Sequence, residues 1–171
     1  MKKTVIKYGL LSGLLLALFM SITIPFMDKT TDSAWAQFIG FAGMIVAFTA
    51  IFVAISKYRD QCLNGVISFG RAFLLGLYIA LIASTLYVVT WMIISELFMP
   101  DFMDNYLEAA ISKINKSSLS VTEKMEQINQ YEKMAEWYKK PILKFLFTYV
   151  EVLPIGILMS LMAAAFLRKN G

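Results

Sequence analysis

A single carboxylate, Glu151, stands inside a long apolar stretch near the end of the chain, and Pro154 follows three residues later. Ionisable groups are rare in hydrocarbon. If this stretch crosses a bilayer, Glu151 should face other helices, accept a hydrogen bond or stay protonated. Pro154 lacks an N–H and so frees the carbonyl of Val150 from its helical partner. Two chemistries fit that pairing: the start of a proton or ion pathway, or a kink held by hydrogen bonds. Counted from Arg168, Glu151 lies about 25 Å along a helix axis, in the outer half of a membrane. Equivalent counts from Lys7 and Arg71 bring Thr23, Tyr87 and Thr90 to a similar depth, so these four residues form the candidate intramembrane polar site. No second acid or base stands at mid-membrane to continue a relay, which favours the structural role.

The rest of the inventory is spare. The chain has no histidine, which excludes imidazole acid–base catalysis, imidazole metal ligation and a histidine switch. Its one cysteine, Cys62, can form neither an intrachain disulfide nor a cysteine-pair zinc site, and reads as a reduced structural thiol. No phosphate loop, nucleophile elbow, zinc-protease motif or catalytic carboxylate pair occurs. No catalytic residue, cofactor or metal is therefore expected, and the chain reads as a non-enzyme. The net charge of +4 does not argue for nucleic acid, because most of the excess sits at the edges of apolar runs.

Those runs are the elements that must position Glu151. Of 171 residues, 58% are hydrophobic and 16% charged, and the mean hydropathy is +0.65. A small soluble domain cannot hide so much apolar surface. Four segments are long enough to cross about 30 Å of hydrocarbon as helices, at about 8–26, 35–55, 72–98 and 142–167. The third holds only Glu96, near the outer interface, where it needs no special role; the fourth holds Lys144 near its start and Glu151 inside. The chain is thus expected to be all-α, a single integral membrane domain over 1–171 built as a four-helix bundle. Met1-Lys2-Lys3 before a leucine-rich run resembles a secretion signal, and Ala34-Trp35-Ala36 has the form of a cleavage site. That site lies well past the apolar run, so the first span is read as a retained helix.

Short segments set the orientation. Lys2, Lys3, Lys7, Lys57, Arg59, Arg71, Arg168 and Lys169 fall on one side, with only Asp60 against them. The other side holds Asp28, Lys29 and Asp32, and then a loop with mixed charge. The positive-inside rule places both termini in the cytoplasm of a bacterial inner membrane, and Trp35, Trp91 and Trp137 fall near the outer face as an aromatic belt. The basic residues on the cytoplasmic side would meet anionic lipid heads. Asn64-Gly65 reads as a turn there, with Ser68 as a cap for the third helix.

The loop at about 100–140 reads as an extracytoplasmic amphipathic helical hairpin between the third and fourth spans. Pro100 and Asp101 suit a first helical turn. Met103, Leu107, Ala110, Ile111 and Ile114 then recur at helical spacing. Ser120 and Glu123 form a capping box that opens a second helix. Its stripe runs through Val121, Met125, Ile128, Tyr131, Ala135 and Tyr138, and Pro141 marks the stop before the fourth span. The hairpin is either a solvated cap or a docking surface for another membrane or envelope protein, with Val121, Met125, Ile128, Tyr131 and Tyr138 as the candidate partner surface. Each span also carries small residues three or four apart: Gly9, Gly13, Ala17 and Ser21; Ala36 to Ala54; Ala72, Gly76, Ala80, Ala83 and Ser84; Gly156, Ser160, Ala163 and Ala164. Such ladders serve packing within the bundle or a homo-oligomeric contact.

Ile6-Lys7-Tyr8-Gly9-Leu10 with Ser12-Gly13, Lys57-Tyr58-Arg59-Asp60, Ile67-Ser68-Phe69-Gly70-Arg71-Ala72-Phe73 and the helix from Glu151 to Arg168 carry a likeness to a known family. Over nearly its whole length the chain resembles the bacterial membrane-protein family catalogued as domain of unknown function 4199. That resemblance implies a four-helix protein typical of Bacteroidota inner membranes, with no assigned activity and no catalytic residues to carry over. The expected function is that of a non-enzymatic accessory or scaffolding subunit contacting a partner through its outer hairpin. The alternative is a small transporter or ion pathway centred on Glu151.

Overall fold

A computed structural model describes residues 1–26 and 33–169. The described chain is helical: α1 (Lys2–Phe26), α2 (Ser33–Phe48), α3 (Ala50–Cys62), α4 (Phe69–Phe98), α5 (Phe102–Asn115), α6 (Val121–Tyr138) and α7 (Pro141–Leu167). Four stretches are long and apolar enough to cross a membrane: Lys2–Ile24, Phe38–Cys62, Phe69–Phe98 and Pro141–Leu167. Asp28, Lys29 and Asp32, the charges expected in the first outer loop, lie outside the described residues.

The second span is longer than its uncharged text and carries an internal break. The Thr49 hydroxyl donates to the Val46 carbonyl at 2.6 Å, while its N–H reaches both Ile45 and Val46 carbonyls at 3.2 Å. Back-bonding of this kind tightens a helix locally without ending it. The helix then runs on through Lys57-Tyr58-Arg59-Asp60, because nothing breaks it before Asn64 and Gly65. Both turn residues take positive φ, 50° and 84°, and glycine accepts that geometry without strain. The Gly65 N–H closes the turn onto the Arg59 carbonyl at 3.0 Å, and the Ser68 carbonyl takes the first bond of α4 from Ala72 at 3.0 Å. Pro141 is the first residue of α7, where a missing N–H costs little. Pro154, expected to disturb α7, is accommodated within a continuous helix. Pro100 and Asp101, expected in the first turn, stand just before α5, which opens at Phe102 with Asp101 as its N-cap.

The chain forms two compact units. One comprises residues 1–91 and 149–171, the other 92–148. In the first, the small-residue ladders are where helices meet. A Cβ built on Gly76 would fall 2.9 Å from the Ser160 Cβ, and one on Gly156 would fall 2.7 Å from the Ala80 Cβ. The α4 and α7 ladders therefore face each other at backbone-to-backbone distance. Gly9 and Gly13 of α1 pack beneath Ile82 and Leu86 of α4, and Gly43 of α2 packs under the Phe19 ring. Leu16, Phe48, Ile51, Ile55, Leu75, Ile79 and Val152 fill the buried centre. The buried Ser12 hydroxyl donates across to the Ala47 carbonyl at 2.8 Å, tying α1 to α2. At one end, Ile67 and Lys169 exchange backbone hydrogen bonds at 3.0 and 2.9 Å, and Arg59 Nη1 donates to the Leu167 carbonyl at 3.2 Å. These contacts satisfy carbonyls that the end of α7 leaves open.

In the second unit α5 and α6 lie alongside one another. Phe102 meets Tyr138, Tyr106 meets Tyr131, Lys139 Nζ pairs with Asp104 at 3.1 Å, and Lys124 Nζ donates to the Asn115 carbonyl at 2.9 Å. The start of α5 (102–106) meets the end of α6 and the residue after it (131–139), while Asn115 at the end of α5 meets Lys124 near the start of α6, so the chain reverses between the two helices. The capping box is formed: Ser120 N–H donates to Glu123 Oε2 at 2.9 Å, and Glu123 N–H to Ser120 Oγ at 3.3 Å. The Ser120 hydroxyl also donates to Glu123 Oε2 at 2.7 Å, and that bond first, with the one from the Ser120 N–H second, holds the Glu123 carboxyl below its ordinary range.

Candidate functional site

Glu151 sits on the exposed side of α7. Val152, Gly156, Met159, Ser160, Ala163 and Ala164 of the same helix are buried, and they recur three and four residues apart on the opposite face. Glu151 shares its own face with exposed Pro154, Leu158, Leu161, Met162 and Phe166. Its carboxylate makes no hydrogen bond or ion pair among the described residues. Of the three expected placements, facing the other helices, accepting a hydrogen bond or staying protonated, the first does not match its exposed position, for a simple reason. The interior-facing positions are taken by the small residues that let α7 approach α4, and a glutamate at any of them would force the helices apart.

Two of the other three members of the expected polar site bond within their own helices. Thr23 Oγ1 donates to the Phe19 carbonyl at 2.8 Å, and Thr90 Oγ1 to the Leu86 carbonyl at 2.8 Å, each one turn back on its own helix. Tyr87 is half-buried on α4. Two residues before Glu151, the spacing arguments missed a cluster that the fold does assemble. The Tyr149 hydroxyl lies 2.9 Å from Thr85 Oγ1 and donates to the Leu81 carbonyl at 3.2 Å, while Thr85 Oγ1 donates to that carbonyl at 2.8 Å. This fastens the start of α7's run along α4 and so fixes the rotation that turns Glu151 outward.

A second charged group, not anticipated as a site, lies within residues 92–148. Lys144 Nζ pairs with Glu96 Oε1 at 3.1 Å and stands 5.5 Å from the centre of the Tyr138 ring. The lysine side chain is 9% exposed and the glutamate 72%. The amine is thus drawn into the unit, and the acid reaches in from its rim. The clue was available: these are opposite charges at the end of one apolar run and the start of the next.

The candidate partner surface divides in two. Tyr131, Ala135 and Tyr138 turn toward α5, Ala135 being buried and the two tyrosines in ring contact with Tyr106 and Phe102. Ile128 is half-buried. Val121 and Met125 remain 75% and 67% exposed. Close by in sequence, a shallow open cleft of about 240 Å³ is lined by Ile114, Ser117, Leu119, Gln127 and Tyr131. Cys62 is exposed, and no group of metal-ligating side chains occurs among the described residues.

Among known proteins, the model of a family described as "Protein of unknown function (DUF4199)" matches residues 7–169. The chain belongs to that family. No curated protein and no solved structure matches it.

Proposed function

For this member of the DUF4199 family, we propose the role of a non-enzymatic, polytopic protein of a bacterial inner membrane, serving as an accessory or scaffolding subunit. Its four apolar stretches cross the bilayer as a bundle with both termini in the cytoplasm. The α5–α6 hairpin lies on the outer side and contacts a membrane or envelope partner. The eight basic residues at one set of helix ends support the orientation, and a residue inventory without histidine supports a role that is not catalytic. The observation that carries the docking role is the exposure of Val121 and Met125 on a helix whose remaining apolar stripe is packed or half-buried. Two large apolar side chains held in the open by a formed capping box are a ready anchor for a partner. An ion pathway through the helices would need an inward-facing carboxylate, and Glu151 faces outward.

The test is extraction from native membranes in a gentle detergent, comparing the parent with Val121→Ser/Met125→Gln. A stoichiometric partner should accompany the parent and be lost from the variant while helicity is unchanged. Recovery of the parent alone in every detergent, or equal retention by the variant, would refute the reading.

A further inference from the structure

Glu151 stands alone on an otherwise apolar helix face. Around it on α7 are Phe147, Val150, Pro154 and Leu158, all exposed, with no base one turn away in either direction. The hydroxyl of Thr148, one turn back, donates to the Lys144 carbonyl at 2.9 Å. Facing lipid, Glu151 would have no donor among its neighbours on α7, whereas ionisable groups within spans almost always face protein or a water-filled cavity. The face fits a protein neighbour that brings a hydrogen-bond donor or a positive charge into the membrane.

We propose that the exposed face of α7 around Glu151 docks a transmembrane helix of a different protein, one that carries a lysine or arginine at the matching depth. This rests on the membrane placement and accessory-subunit reading above, and adds the chemistry of the partner. A second copy is a poorer occupant on charge grounds. A two-fold axis at this face would set Glu151 against Glu151. The bases in this chain's apolar stretches cannot take its place: Lys2, Lys3, Lys7, Lys57, Arg59 and Arg71 stand toward their ends, and Lys144 is already paired with Glu96. The small-residue ladder of α7 is spent against α4, so the new contact would rest on the larger side chains and the ion pair.

The test uses the full-length chain in liposomes, dye-labelled at its single, exposed Cys62. Energy transfer reports association with synthetic leucine-rich transmembrane peptides. One peptide carries a lysine about 25 Å from its cytoplasmic end, the depth counted for Glu151. A second has leucine there, and a third has the lysine displaced by two turns. The matched-lysine peptide should bind about threefold to fifteenfold more tightly than either control, the range of interhelical polar contacts in membranes. Glu151→Leu should erase that preference. Equal binding of the three peptides by the parent chain, or a lysine preference that survives Glu151→Leu, would overturn the proposal. So would energy transfer between copies that is lost in Glu151→Leu without any peptide preference. Should Glu151→Leu not fold, the displaced-lysine comparison on the parent chain decides alone. The peptide assay does not involve Val121 or Met125, so it can fail while the hairpin test succeeds, and the reverse.

Discussion

Replacing Gly156 with alanine tests the Cβ-to-Cβ approach of α7 to α4. The new Cβ would stand 2.7 Å from the Ala80 Cβ, and 3.0 and 3.2 Å from Cζ and Cε1 of the buried Phe48 ring. Carbon atoms rest at about 3.5–4.0 Å. The shortfall against Ala80 is therefore about 1 Å, and neither Cβ can rotate away because each is fixed to its backbone. Relief requires α7 and α4 to separate, which also loosens the seat of Gly76 against Ser160. Overpacking of this kind costs about 1–3 kcal/mol. Ala80→Gly removes the worst contact, at an expense of its own of about 1 kcal/mol from the added chain freedom. The double variant should then be more stable than the two single effects summed, by about 1–2 kcal/mol. Reversible unfolding of the four proteins in mixed micelles, followed by far-UV circular dichroism, measures that coupling. Additivity within about 0.5 kcal/mol, or a Gly156→Ala protein as stable as the parent, would refute close packing of the two ladders.

Two further outcomes follow from charges outside that interface. Because the Lys144 amine is buried and Glu96 exposed, Glu96→Ala should destabilise residues 92–148 by about 1–2 kcal/mol more than Lys144→Met, which removes the buried charge and leaves only an exposed carboxylate; hydrogen exchange of Met103 and Ile114 reads the difference, and the reverse order would contradict it. In the capping box, the Glu123 carboxyl is held below its ordinary 4.5 by Ser120. Its contribution is therefore complete above that value and disappears as pH falls through the lower folded-state value. Amides at the start of α6 should exchange several-fold faster in that acid window, after correction for intrinsic rates, and Ser120→Ala should exchange faster already at neutral pH and lose the acid-dependent step.

Local features were legible from order alone where their physics is local. The Ser120–Glu123 box, the Asn64-Gly65 turn and the α5 stripe each depend on residues within about a turn of one another, and each is formed. The break at Thr49 is also local, but an isolated threonine in an apolar run gives little warning of its hydroxyl bonding backwards. The Lys144–Glu96 pair spans 48 positions, and its two charges read separately as edge residues. Only a reversal of the chain brings them together.

Four apolar stretches, their lengths and the sorting of basic residues to one set of ends follow from composition along the chain, because crossing a membrane is a condition each segment meets by itself. Which face of each helix turns inward is a different kind of property. A helix of leucine, phenylalanine and valine is apolar all round, so its periodicity does not choose a side. That choice was made by the small residues of α4 and α7 in meeting one another, and its consequence is that Glu151, whose side the text alone left open, stands on the exposed face of α7.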